Sequence, residues 1–209
     1  MYRFFLSSRF QIRSMKVYTK TGDKGTSGLF NGERRQKDDD IFEALGACDE
    51  LNASIGIASE HCDIGGHSEV SSLLEEVSSR LFDVGTAIAT PVNTTDSKSK
   101  LAHSSFDPKH TDWLEKMIDQ MDLELPPLKN FILPSGGLAS SHLHHARTLA
   151  RRAERRVWPL IRSNQVEQSV GIYLNRLSDF LFTSARLVAK RSGKEEKIYK
   201  KTRIRLDSE

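Results

Sequence analysis

Hydrophobic positions in this chain recur at helical rather than strand spacing. From Ile41 onward, Ile41, Leu45, Cys48, Leu51 or Asn52, Ile55 and Ala58 return at steps of three and four residues, which places them on one face of an α-helix. A second run carries Val70, Leu73, Leu74, Val77, Leu81, Val84 and Ile88 to about Ala89. Pro91 and the polar stretch 93–105 then break the pattern and read as a flexible loop. A third helix is predicted over Pro108–Met121, with proline in its first turn, where the missing N–H leaves no bond unmade. Pro126-Pro127 ends it, and the short apolar piece Phe131-Ile132-Leu133 leads into Pro134-Ser135-Gly136-Gly137.

The fourth helix has the most regular pattern. Leu143, Ala146, Ala150, Ala153, Val157 and Leu160 alternate steps of three and four, as the seam of a helix bundle does. Its small alanines would let a neighbouring helix come close. A fifth helix, about Val166–Lys190, turns Val170, Leu174, Leu177, Leu181, Ser184 and Val188 inward. Strands do not alternate with helices, which argues against a dinucleotide-binding sheet fold. The expected architecture is an all-α five-helix bundle, followed by a charged, mobile tail over residues 193–209.

At 209 residues, with 37% hydrophobic and 28% charged residues, the chain suits one soluble globular domain without a membrane span. A net charge of +3 does not by itself argue for a nucleic-acid partner. The cations are clustered, however, in residues 147–156 and again between Lys190 and Arg205, and such patches suit an anionic ligand as well as a solvated helix face. Cys48 and Cys62 are too few for a disulfide framework, and neither belongs to a metal-ligand pair. Residues 1–14 carry Arg3, Arg9 and Arg13, and no acid precedes Asp23. That is the composition of a mitochondrial import leader, so the domain is expected to begin near Met15 or Lys16 and to work in the mitochondrial matrix.

Three places could carry chemistry. The loop from Thr19 to Gly28 combines Gly22, Gly25 and Gly28 with Thr19, Thr21, Thr26, Ser27, Lys20 and Lys24. Glycines admit close backbone N–H groups, and hydroxyls and lysines suit phosphate oxygens. The spacing is not that of a Walker loop, and an ordinary turn-rich loop remains open. The run Gly32-Glu33-Arg34-Arg35-Gln36-Lys37 adds cations beside it. On the fourth helix Arg147, Arg151, Glu154 and Arg155 form a stripe flanking the apolar seam, widened by Arg152 and Arg156. On the fifth, Asn175, Asp179, Phe182 and Arg186 form a second polar-edged stripe. His142, His144 and His145 lack convergent carboxylates and read as structural rather than metal ligands. No nucleophile–base pair has support from spacing.

Taken in order, Y-T-K-T-G-D-K-G, G-E-R-R-Q-K-D-D-D, A-C-D-E-L-N, F-I-L-P-S-G-G, L-H-H-A-R-T-L-A-R-R-A-E-R-R and N-R-L-S-D-F-L-F resemble the ATP:cob(I)alamin adenosyltransferase family of the propanediol-utilisation type, over roughly residues 15–192. The resemblance implies a trimer of five-helix bundles with active sites between subunits. It assigns triphosphate binding to Thr19, Lys20, Thr21 and Gly22, with Ser27 and Gly28 alongside and Lys37 reaching the nucleotide. Arg151, Arg152, Ala153, Glu154 and Arg155 belong to the motif that grips ATP and its Mg²⁺, and Asn175 to the nucleoside contact. Asp49 and Arg147 match a salt bridge between subunits, and Phe131 matches an aromatic packed beneath the corrin ring.

The implied reaction needs no protein nucleophile. Reduced Co(I) of cobalamin, a substrate here, attacks C5′ of ATP, and the protein supplies placement. The resemblance also implies partners, namely a flavoprotein or similar reductase and a cobalamin-dependent mutase receiving the product. Two other readings stay open on the residues alone: a non-catalytic carrier of adenosylcobalamin, and a basic helical module for RNA. The second has no aromatic stacking platform to support it.

Overall fold

The structure, a computed structural model, describes Tyr18 and residues 20–201. Thr19 and the expected import leader lie outside the described residues. The elements run β1 (Thr26–Gly28), β2 (Arg34–Gln36), α1 (Asp40–Ile64), α2 (Ser68–Ile88), α3 (Lys98–Ser104), α4 (Lys109–Asp122), α5 (Leu138–Arg162) and α6 (Gln168–Arg191). The five long helices are the expected five, with ends shifted by a few residues.

Several boundaries have a local cause. Asp39 caps α1 by accepting from the Ile41 N–H at 2.9 Å. At their C-termini α1, α5 and α6 share one device. The residue just past the helix is left-handed, Gly66 at φ 76, Asn164 at φ 55 and Gly193 at φ 64. The next residue's N–H then reaches back five positions: His67 to Cys62, Gln165 to Leu160 and Lys194 to Ala189.

The α5 seam sits at the centre of the bundle. Leu143, Ala146, Ala150, Ala153, Val157 and Leu160 are all buried, between α1 on one side and α6 on the other. All six inward positions expected on α6 are buried too. α4 packs on α6, and α2 packs on α1. Close approach is most evident at Gly171, where a side chain would begin 2.6 Å from Ile161 Cδ1 and 3.6 Å from the Trp158 ring.

The structure departs from the sequence expectation in three places. The end of the glycine loop and the run that follows it form a two-stranded antiparallel hairpin, with Ser27 opposite Arg35. Residues 93–105, expected as a flexible loop, contain α3, and Lys100 Nζ donates to the carbonyls of Phe30 (3.3 Å) and Asn31 (3.1 Å). The tail does not leave the bundle at Gly193: Leu133 N–H donates to Lys197 O at 2.7 Å and Tyr199 N–H to Phe131 O at 2.8 Å. In each case long-range hydrogen bonds order a segment whose composition alone reads as loop.

Gly136 tests how tightly the turn before α5 is built. It is left-handed at φ 97, and a Cβ there would lie 2.4 Å from Ala189 Cβ. Gly136→Ala therefore combines overpacking with backbone strain, and we expect a loss of about 2 kcal/mol or more in urea unfolding. Wild-type stability in the variant would show that the turn can relax.

Candidate functional site

The glycine loop is held from below by its own hairpin. Arg34 Nη2 donates to the Thr21 carbonyl (2.8 Å), the Thr26 carbonyl (3.2 Å) and Thr26 Oγ1 (2.8 Å). Arg35 donates to Glu33 at 2.7 Å and Gln165 at 3.0 Å and lies 3.5 Å from Asp39. The Arg35 hydrogen bond holds the Glu33 carboxyl below its usual range. These two arginines are thus committed to the protein, although the sequence offered them as possible anion ligands. Lys37 is different. Its Nζ lies 3.2 Å from where a side chain on Gly22 would begin, so a side chain there would crowd the ammonium. Lys20 is left-handed at φ 57, and Ser27 and Gly28 lie on β1. An ammonium over a glycine-lined loop with hydroxyls at its rim is chemically an anion site.

The second cluster lies on the α5–α6 face. Asn175 Nδ2 donates to Glu154 Oε1 at 3.0 Å, joining the two stripes that sequence spacing identified separately. Arg155 folds back onto the Arg151 carbonyl at 3.1 Å. The exposed Arg151 guanidinium has no hydrogen-bond or ion-pair partner among the described residues. Arg152 turns the other way and pairs with Glu50 of α1, as Arg156 does with Glu43 at 3.4 Å. Ala153 needs a correction: it is 0% exposed, so its place in the motif is to admit neighbouring helices, and it offers no atom to a ligand.

Within one chain these clusters stay apart. Arg151 lies about 16 Å along α5 from Arg162, the end nearest the hairpin. No hydrogen bond or ion pair among the described residues joins Arg151, Glu154, Arg155 or Asn175 to the glycine loop. Asp49 and Arg147 do not pair within the chain either. Asp49 is exposed at the edge of an apolar cleft of about 290 Å³ between α1 and α2, lined by Phe30, Leu45, Leu81 and Phe82. The Arg147 guanidinium instead lies over the Phe182 ring, 5.3 Å from its centroid.

Phe131 is 84% exposed, which rules out a role in the core. An aromatic ring held outward on a short ribbon is a ready contact for a flat ligand. Of the histidines, His144 is buried edge-on to Phe182 with centroids 5.9 Å apart, and His142 stacks on His61 at 4.7 Å. What sequence reasoning missed about Arg34 is that it braces the glycine loop, a role that depends on a hairpin partner that spacing did not reveal.

The cobalamin adenosyltransferase family model matches residues 17–188. This chain belongs to that family. The corrinoid adenosyltransferase MMAB of Mus musculus is 50% identical over 186 residues, covering 89% of this chain and 78% of the mouse protein. A corrinoid adenosyltransferase of Bacillus subtilis is 43% identical over 191 residues, covering 91% and 95%. A solved structure of a PduO-type ATP:corrinoid adenosyltransferase variant from Lactobacillus reuteri, complexed with cobalamin and ATP, superposes with a TM-score of 0.82. It is 36% identical and covers 89% of this chain and all of that one. Together with the helical architecture, these similarities establish the fold.

The histidines of this family member should make it acid-sensitive. Burial, reinforced by the nearby Arg147 charge, lowers the His144 imidazole from its usual 6.5, with Glu196 opposing. Burial, then His61 and His145, lower His142 likewise. The unfolded chain therefore binds protons more readily than the fold does. The stabilisation is present above about pH 6.5 and is lost as pH falls through the lowered folded values. Urea unfolding at stepped pH between 7.5 and 5 should show stability declining, with a shallower slope in His144→Gln. Equal slopes would clear His144 of that role.

Proposed function

We propose that this protein transfers the 5′-deoxyadenosyl group of ATP to cob(I)alamin, forming adenosylcobalamin and releasing triphosphate. The observation that carries this reading is the α5–α6 face of a cobalamin adenosyltransferase family member, where the Arg151 guanidinium has no partner among the described residues beside the Glu154–Asn175 hydrogen bond. The relatives are named corrinoid adenosyltransferases, and a structural neighbour was solved with both cobalamin and ATP. The Co(I) electron pair of the substrate forms a bond to C5′ as the C5′–O bond breaks, and the electrons leave with the triphosphate.

In this reading Lys20, Thr21, Gly22, Ser27, Gly28 and Lys37 cradle the triphosphate together with Thr19. Arg151 and Arg155 meet charge growing on the leaving group, with Arg152 anchoring their helix to α1. Glu154 and Asn175 face the nucleoside and the Mg²⁺ that ATP carries. Phe131 packs beneath the corrin and excludes water from the lower face of cobalt. Import into the mitochondrial matrix by residues 1–14, a reductase that supplies Co(I) and a mutase that takes the product complete the proposal.

Purified protein with Mg-ATP and chemically reduced cobalamin should then yield a light-sensitive Co–C product and intact triphosphate. Arg151→Gln should raise the KM for ATP about tenfold or more, since a charge-assisted hydrogen bond contributes about 1.5–3 kcal/mol. Pyrophosphate or ADP as product, or unchanged ATP kinetics in the variant, would overturn the assignment.

A homotrimer with sites shared between subunits accounts for the separation of the two clusters. An exposed stripe on α1 supports it: Gly46, Ala53, Gly56, Ile57 and Ile64 leave an apolar, small-residue face uncovered, next to the exposed Phe82 of α2. Asp49 on that stripe pairs with Arg147 of a neighbour. Asp49→Arg and Arg147→Asp should each dissociate the assembly in sedimentation, a loss of about 3–5 kcal/mol if the pair is desolvated, and the double exchange should restore it. A wild-type monomer at micromolar concentration would refute the shared site.

A further inference from the structure

The α6 stripe continues past Phe182 to a buried cation. Arg186 is 6% exposed, and a guanidinium out of water needs partners. It has two, from segments far apart in sequence. Nε donates to Glu196 Oε1 at 2.7 Å, and Nη2 donates to the Pro126 carbonyl at 2.9 Å. Glu196 belongs to the tail and Pro126 to the connector between α4 and α5. Beyond Arg186 those two segments become the strands of one ribbon. Leu133 donates to Lys197 O and Tyr199 to Phe131 O, Ile132 pairs with Ile198, and the Lys197 N–H donates to Ser135 Oγ at 3.1 Å.

The ribbon has two faces. Ile198, opposite Ile132, lines a cavity of about 710 Å³ that also has Leu125, Pro126, Arg186 and Glu196 in its wall. Side chains alternate along a strand, so Phe131 lies on the other face, held outward. A ribbon this short is marginal by itself. No described residue after Ala189 is among the buried hydrophobics either, so the ribbon adds no side chain to the bundle core. Something outside the ribbon must fix it, and the Arg186–Glu196 pair is the ionic tie between it and the bundle. Arg186 lies one helical turn beyond Phe182 on α6, whose ring His144 of α5 meets edge-on.

We propose that Arg186 is a positioning residue: by clamping Glu196 and the Pro126 carbonyl it fastens the C-terminal strand against 131–133 and fixes the Phe131 ring for the corrinoid. The inference rests on the role given to Phe131 above. It assigns the tail a part in corrinoid binding, distinct from both nucleotide clusters.

The test uses the full chain with Glu196→Gln and Arg186→Lys, together with a chain ending at Gly193, which keeps the proposal falsifiable if an Arg186 variant folds poorly. Amide hydrogen exchange without substrate should speed about tenfold or more at Leu133 in all three, and at Tyr199 in the two full-length variants, while α1 and the middle of α6 stay protected; a lost charge-assisted bond is worth that much. In turnover, the KM for cobalamin should rise about tenfold while that for ATP stays nearly constant. Combining Glu196→Gln with Phe131→Ala should add little, since both act through one ring. Unchanged exchange, an unchanged KM for cobalamin, or equal rises in both KM values would each overturn the positioning role. Wild-type protein that makes no adenosylcobalamin would remove the functional reading instead, leaving exchange to judge the clamp.

Discussion

Everything in this bundle depends on how closely α5 can be approached. Ala146, Ala150 and Ala153 present only methyl groups to α1 and α6, and with such short side chains two helices can pack on α5 at once. The same constraint displaces the arginines. A helix carrying Arg147, Arg151, Arg152, Arg155 and Arg156 cannot turn them into a methyl-lined seam, so they emerge along its two flanks. One flank meets acids of α1, at Glu43 and Glu50. The other opens towards α6, where Asn175 and Glu154 meet and the Arg151 guanidinium is left without a partner among the described residues. The cationic groove is thus a by-product of the packing that makes the core.

The sorting of charges into committed and free ones follows the same logic at the hairpin. Arg34 and Arg35 are ringed by carbonyls and carboxylates of their own chain, and a guanidinium's planar fork suits that multidentate work. Lys37, a point charge on a flexible stem, is kept over the glycine-lined space instead. Two anion-seeking surfaces that share no hydrogen bond or ion pair among the described residues make little sense in an isolated chain. They make sense if the uncovered face of α1 brings a second copy alongside. The reaction proposed would then need no protein nucleophile, because the reduced metal of the substrate is the nucleophile and the subunits serve to hold two ligands in line.

The sequence determined the periodic part of this protein. The seam on α5 and the inward positions on α6 are set by residue type at three- and four-residue steps, and local rules suffice because each helix forms its own backbone hydrogen bonds. The glycine loop, the arginine stripe and the family resemblance were legible for a related reason: their residues are adjacent or one turn apart. What the tertiary structure decided is whatever depends on a partner far along the chain. It paired Asn175 with Glu154, tied Arg34 and Arg35 to loop and connector, and left the Lys37 ammonium and the Arg151 guanidinium without a partner among the described residues. It buried Ala153 beneath a motif to which the sequence had assigned binding. It ordered 93–105 through Lys100 and folded the tail back through Glu196, because hydrogen bonds and ion pairs between distant segments leave no periodic trace in the sequence.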